Sequence, residues 1–280
     1  MTQNTHVDLL SNRLNLAGMV CALFMLIPCA HAEEALTFGI IPYLSQQQLV
    51  SYFNPLRENL QQASGRKIAI ITAPDYSSFR ERTRTGEYDL ILTAPHYARL
   101  AEKESGFKRV AITRYRVQGI ILVAQDSPVR RLSDLRGKSL AVTPPASLIH
   151  MLTMELFRNH GLQPGRDFNV NDQENFQNVL ASTLRGDSAA SATGIAAWNG
   201  YEQKEMLRVI AKTADAPGLI IMAHPSVSGA VLASLRKALF SFGETPEGKA
   251  YFAVTSHGAW LPVDDANMRA LDPYMRHAKD

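Results

Sequence analysis

His96, His150, His160, His224 and His257 are spread singly along the chain. Protein zinc sites usually place His or Cys at short spacing with a further ligand nearby. No H-E-x-x-H run is present, so a metal centre has no signature here. Ser147 precedes His150 by three residues, but no G-x-S-x-G elbow or orienting acid accompanies them. The pair therefore does not read as a hydrolase site. G-x-G-x-x-G and P-loop patterns are also missing. What remains is non-covalent recognition by hydroxyls, phenols and imidazoles. The expectation is a binding protein without catalysis, metal or cofactor.

Several of these side chains sit where a β-rich run gives way to a helical one. In open α/β sheets, ligands collect beyond the carboxyl ends of the strands. Tyr43 follows Pro42 at such an end and is expected to face a cleft. Tyr76 lies just inside the turn Ala73-Pro74-Asp75-Tyr76. Its phenol can donate a hydrogen bond, or its ring can stack on an organic ligand. Thr93 and His96 flank Ala94-Pro95 at the end of another run. Thr93 is either a cap or a ligand contact. His96 either meets the ligand or is merely solvated, and an unperturbed imidazole titrates near neutral pH. Tyr97 faces the cleft or packs beneath it. Ser147 is placed as a helix N-cap, a role compatible with binding. His150 reaches the cleft or bonds a carbonyl, and Trp198 walls the pocket or belongs to the core.

The elements that must position these residues are legible as alternating patterns. Leu36–Ile41, Lys67–Thr72 and Tyr88–Thr93 are short apolar runs expected to be strands. Between them, Gln46–Gln62 carries Leu49, Tyr52, Phe53, Leu56 and Leu60 at helical spacing, and Tyr76–Arg84 is a helix that Asp75 can cap. Runs at Arg109–Thr113 and Gly119–Ala124 follow, and then the pattern resets. Strands are expected at Lys138–Val142, Phe168–Val170 and Ala189–Thr193, with helices at Ser147–His160 and Glu174–Leu184. A strand at Leu219–Ala223 and a helix at Ser228–Phe242 come near the end. Repeated βαβ order predicts two mostly parallel sheets covered by helices.

The chain has 280 residues and a formal net charge of +3, with no basic run that could track a phosphate backbone, so nucleic acid is not an expected partner. Arg13 precedes the 14-residue run Leu14–Ile27, and Ala30-His31-Ala32 supplies a small-x-small site. A bilayer span needs roughly 20 apolar residues, so residues 1–32 read as an export signal cut after Ala32. The competing acylation at Cys29 is opposed by Pro28, which stands where a small residue belongs. Both cysteines, Cys21 and Cys29, fall inside this segment. The remaining 248 residues must then be held by a core rather than by disulfides.

Several motifs, in order, resemble one family. They are Leu36–Tyr43 (LTFGIIPY), Ala73–Tyr76 (APDY), Asp89–Tyr97 (DLILTAPHY), Ser133–Val142 (SDLRGKSLAV), Pro145–His150 (PASLIH) and Thr245–Lys249 (TPEGK). The chain resembles the periplasmic phosphonate-binding proteins of ABC importers, which have the type II periplasmic binding-protein fold. That resemblance implies an α/β protein of two lobes joined by a two-segment hinge. It also implies that the late TPEGK segment is helical. The expected lobes are 35–118 plus 220–280 and 119–219, with crossovers near Gln118–Ile121 and Gly218–Ile220. It further implies a periplasmic monomer that holds a small ligand between its lobes and hands it to a membrane permease. A periplasmic sensor docking on a membrane kinase or nucleotide cyclase would need the same parts.

The site positions differ from the family pattern. The family binds its anion with consecutive hydroxyls at a helix N-terminus, where free N–H groups and the helix dipole favour negative charge. The matching run here is Ser147-Leu148-Ile149, which keeps one hydroxyl, and His150 stands where the family has glycine. Leu148 and Ile149 can still offer backbone N–H groups. Thr193 stands where the family carries an acid, so it offers no charge to an aminoalkyl group. These departures argue against a phosphonate or an aminophosphonate as the ligand.

Overall fold

The computed structural model describes residues 35–275. The export signal over residues 1–32, its cleavage after Ala32 and the alternative acylation at Cys29 lie outside these residues. Among the described residues, no helix is long and apolar enough to cross a membrane.

The first half builds β1 (Leu36–Ile40), α1 (Gln46–Ser64), β2 (Ile68–Ile71), α2 (Tyr76–Arg84), β3 (Leu90–Thr93), α3 (Pro95–Ser105) and β4 (Lys108–Thr113). Local chemistry sets the ends. The Ser45 hydroxyl caps α1 by accepting from the Gln48 N–H, and Gly65 closes the helix at φ 69°. Asp75 caps α2 through the Ser78 N–H at 2.7 Å. Pro95 opens α3, where its missing N–H costs nothing. Leu49, Phe53, Leu56 and Leu60 of α1 are buried against β1 and β2, at the spacing that marked the helix in the sequence.

The second half builds β5 (Val117–Ala124), β6 (Ser139–Val142), α4 (Leu148–Asn159), β7 (Asn169–Asp172), α5 (Phe176–Leu184), β8 (Ala190–Gly194), α6 (Ile195–Asn199) and β9 (Leu207–Ala216). The chain then returns with β10 (Ile220–Ala223), α7 (Gly229–Ser241), α8 (Pro246–Thr255), β11 (Trp260–Leu261) and α9 (Asp265–Arg269). Strand β9 was not anticipated from the sequence. It is a ten-residue strand that pairs with β5 alone, at one edge of its sheet.

Two sheets result, ordered β11-β4-β10-β3-β1-β2 and β7-β6-β8-β5-β9. Apart from β11, they share one topology. Each has three parallel strands, followed by an antiparallel strand that the chain reaches by crossing from the other half. The correspondence extends to residues 100 apart. Asp75 and Asn175 are both N-caps, Tyr76 and Phe176 are both first helical residues, and Thr93 and Thr193 occupy matching places in β3 and β8. Apolar clusters cover both faces of the first sheet, and Ile121, Phe157 and Phe168 anchor a core in the second.

The chain passes between the sheets after Thr113 and again after Ala216. The first crossing lies earlier than Gln118–Ile121, because Val117 and Gln118 already pair with Ala216 and Asp215. The Thr113 N–H donates to Leu219 O at 2.9 Å and ties the two crossings together, and the Tyr115 N–H anchors the first crossing to His257 O, beyond α8, at 3.0 Å. Gly218 is needed there, since a Cβ would lie 2.2 Å from both Thr113 Oγ1 and Tyr115 O.

Candidate functional site

The strand-to-helix turns of both sheets border one cavity of about 520 Å3. Its position follows from the parallel strands, whose carboxyl ends feed the helix N-termini. On the first side, the β1 ladder continues to Ile41, whose N–H donates to Leu92 O at 3.0 Å. The Tyr43 N–H turns back to Ile41 O at 2.9 Å, and this turn puts Tyr43 on the wall. Gln48 and Tyr52, one turn apart on α1, join it, as does Tyr76 at the start of α2. On the second side, Ser147, Leu148 and Ile149 come from the start of α4, and Phe176 and Gln177 from the start of α5. Tyr115 and Leu219 line the cavity from the crossings, and Tyr201, Glu202 and Gln203 from the loop after α6.

Rings and aliphatic groups dominate this wall. Among the described residues, Glu202 is the only Asp, Glu, Lys or Arg on it, and its side chain is exposed. His257 is buried on the wall, with Nδ1 2.8 Å from the Tyr251 hydroxyl. Burial holds the His257 imidazole neutral by lowering its pKa to about 3. Tyr76 is 7% exposed and stacks on Tyr97 at 6.4 Å. Burial, and then the neighbouring Tyr97, push the Tyr76 phenol above its ordinary range, so it remains a neutral donor. Burial does the same to Tyr43.

Among the described residues, four contacts join one half to the other, the first two of them on the cavity wall. Tyr43 meets Phe176 edge-on at 6.5 Å. Gln177 Nε2 donates to Gln48 Oε1 at 2.7 Å, and the Tyr274 hydroxyl donates to Glu155 Oε2 at 3.3 Å. His96 Nε2 lies 3.1 Å from Ala146 O. A carbonyl can only accept, so this nitrogen carries the proton.

Of the residues singled out from the sequence, Tyr43, Tyr76, Ser147, Leu148 and Ile149 line the cavity. The other six lie behind or beside the wall. Thr93 is fully buried in β3, opposite Ile220. His96 is fully buried, and burial lowers its pKa to about 4. Tyr97 stacks behind Tyr76. His150 Nδ1 donates to Thr143 O at 2.8 Å, with Asp172 Oδ1 at 3.5 Å. Thr193 is fully buried opposite Ile120. Trp198 packs beside Ile120, Leu122 and Leu180. The neighbours Ala94, Gly194 and Ala197 reach the wall instead.

The residues that the sequence did not flag include Tyr52, Tyr115, Phe176, Gln177, Tyr201, Glu202 and His257. Phe176 carried a usable signal, because Asn175-Phe176 repeats Asp75-Tyr76 at a spacing of 100 residues. Among the described residues, no group of three or more His, Cys, Asp or Glu could hold a metal ion.

Comparison with known proteins agrees with this architecture. The model of the family described as "ABC transporter, phosphonate, periplasmic substrate-binding protein" matches residues 38–268. The phosphonates-binding periplasmic protein of Escherichia coli (strain K12) is 26% identical over 275 residues, covering 90% of this chain and 79% of that protein. A Prochlorococcus marinus structure in complex with methylphosphonate superposes with a TM-score of 0.79 at 13% identity, covering 88% of this chain and 98% of that one. A binding protein component of an ABC phosphonate transporter from Pseudomonas aeruginosa gives 0.76 at 19% identity, covering 88% and 87%. This chain therefore belongs to the family of periplasmic substrate-binding proteins of phosphonate ABC transporters, and it is a binding protein rather than an enzyme.

Proposed function

We propose that this protein captures a small solute between its two lobes in the periplasm, closes over it and presents the closed form to the permease of an ABC importer. The observation that carries this reading is the cavity itself, whose walls come from both sheets and both crossings. The lobes are the expected 35–118 plus 220–280 and 119–219, except that Val117 and Gln118 go with the second, and movement is concentrated at the two crossings. Tyr43, Tyr76, Ser147, Leu148 and Ile149 contact the solute, joined by Phe176 and Gln177. The cavity is complete within one chain, which supports action as a monomer.

Closure needs a ligand that binds the closed state more tightly than the open one. The Tyr43–Phe176, Gln48–Gln177 and His96–Ala146 contacts exist only when the lobes meet, so they lower the free energy that the ligand must contribute. Small-angle scattering of the purified protein, with each bound member of a solute library, tests this. The expected result is a smaller radius of gyration on saturation. An unchanged radius with a bound solute contradicts hinge closure.

A further inference from the structure

The wall is poorly matched to a small dianion. Burying two negative charges in an enclosed space requires compensating charge or a full set of donors. Among the described residues, no Lys or Arg lines the cavity, and the one charged group on it, Glu202, has the same sign as an anionic ligand. The serine and threonine hydroxyls of the wall do not make up the deficit. The Ser147 hydroxyl is already engaged, accepting from the His150 N–H at 3.1 Å and bonding Thr143 Oγ1. Leu148 and Ile149 follow it with apolar side chains.

What the second lobe does offer is backbone. In the first turns of α4 and α5, Ser147 and Asn175 satisfy the N–H groups of His150 and Asn178. The N–H groups of Leu148, Ile149, Phe176 and Gln177 have no partner within their helices, and all four residues line the cavity. A helix N-terminus carries roughly half a positive charge. Two of them together therefore suit about one negative charge, not two.

The remaining wall selects for a ring. Tyr43, Tyr52, Tyr76, Tyr115 and Tyr201, five of the nine tyrosines in the sequence, line one cavity together with Phe176. Two polar groups there lack partners among the described residues. The Tyr76 phenol, on a side chain 7% exposed, lines the cavity and makes no hydrogen bond with a described residue. Gln177 Oε1 is unpaired too, but it is itself buried beneath the wall. The volume of about 520 Å3 is that of a site for a multi-ring or substituted-ring molecule. It far exceeds what a one-carbon phosphonate fills.

We infer that the ligand is a ring-bearing organic monoanion of the aromatic sulfonate or carboxylate type, with its single charge on the N-termini of α4 and α5 and its ring among the tyrosines. This rests on the reading of the cavity as the solute site. An organic cation would suit the phenol rings, but it would face two positive helix ends.

Calorimetric titration of the purified protein at pH 8 tests the assignment with four probes: benzenesulfonate, methanesulfonate, methylphosphonate and benzyltrimethylammonium. Benzenesulfonate is expected to bind at least tenfold more tightly than each of the others. Methylphosphonate binding as tightly, or benzyltrimethylammonium binding more tightly, overturns the inference, as does no measurable heat with benzenesulfonate. Scattering on the same samples separates this from the broader reading. Compaction with methylphosphonate leaves closure standing and removes only the ligand class. A bound probe that causes no compaction removes closure.

Discussion

The starts of α2 and α5 are the same local structure made from different chemistry. Asp75-Tyr76 opens one helix and Asn175-Phe176 the other, and both caps accept from the N–H three residues on. Asp75 does so as a carboxylate, its pKa lowered chiefly by the Ser78 N–H. Its full negative charge offsets the positive end of α2. Asn175 is a neutral cap and brings no charge of its own to the end of α5. The ring positions differ in parallel, with a phenol at Tyr76 and a plain ring at Phe176. The first lobe therefore contributes most of the phenols to the cavity, and the second contributes backbone N–H groups beside Phe176 and Tyr201. Duplicated geometry has been divided into two kinds of recognition.

The halves also differ in what burial does to their histidines, and acid should expose this most strongly. His96 and His257, both packed on the first sheet's side, are held neutral by burial, with pKa values of about 4 and about 3. These lie below the ordinary value near 6.5, so unfolded chains take up protons before folded ones. The stabilisation is complete above pH 6.5 and is lost as pH falls towards 4 and then 3. His96 alone accounts for about 3 kcal/mol. His150 and His160 in the second half are only half-buried and exposed. Hydrogen exchange between pH 7 and pH 4 should therefore show β1 and β3 losing protection before β6 and β8. Simultaneous loss would break the comparison.

Phe176→Ala and Tyr76→Ala come next. Each removes a ring that is over nine-tenths buried, so each should destabilise the fold by about 3 kcal/mol in denaturant unfolding. Each should also weaken benzenesulfonate at least tenfold in titrations on the folded fraction. Loss with Tyr76→Ala alone would reduce Phe176 to packing.

Much of the frame was legible because it rests on local rules. Asp75, Ser147 and Pro95 marked helix starts by cap chemistry, and all three stand at those ends. The apolar spacing of α1 placed its buried face. Strand β9 escaped because Arg208, Lys212 and Asp215 interrupt its apolar pattern, and an edge strand needs only one partner. The site was harder to read. Thr93 stands out as a polar residue at a strand end and Thr193 as the match to the family's acid, yet successive residues of a strand face opposite ways. The wall is reached one residue later, by Ala94 and Gly194, whose side chains announce no chemistry. Tyr201, Glu202 and Gln203 come from a loop without periodicity, which only tertiary structure brings to the cavity.

Smaller effects test the division of labour directly. Asn175→Asp keeps a good cap but gives α5 the charge that α2 already has. Benzenesulfonate affinity should fall about tenfold, or about 1.4 kcal/mol, with little change in stability. The reciprocal Asp75→Asn should tighten binding by no more than about threefold, because the cap is exposed and screened by solvent. Equal and opposite effects would mean that the anion sits between the lobes rather than on the second.

The most direct test is a crystal structure of the protein purified, without denaturation, from the periplasm with its bound solute. The account predicts a ring-bearing solute in contact with Tyr76 and Phe176, with one acidic group on the N–H groups of Leu148, Ile149, Phe176 and Gln177. A solute lying outside this cavity, or a phosphonate dianion seated within it, would contradict the account.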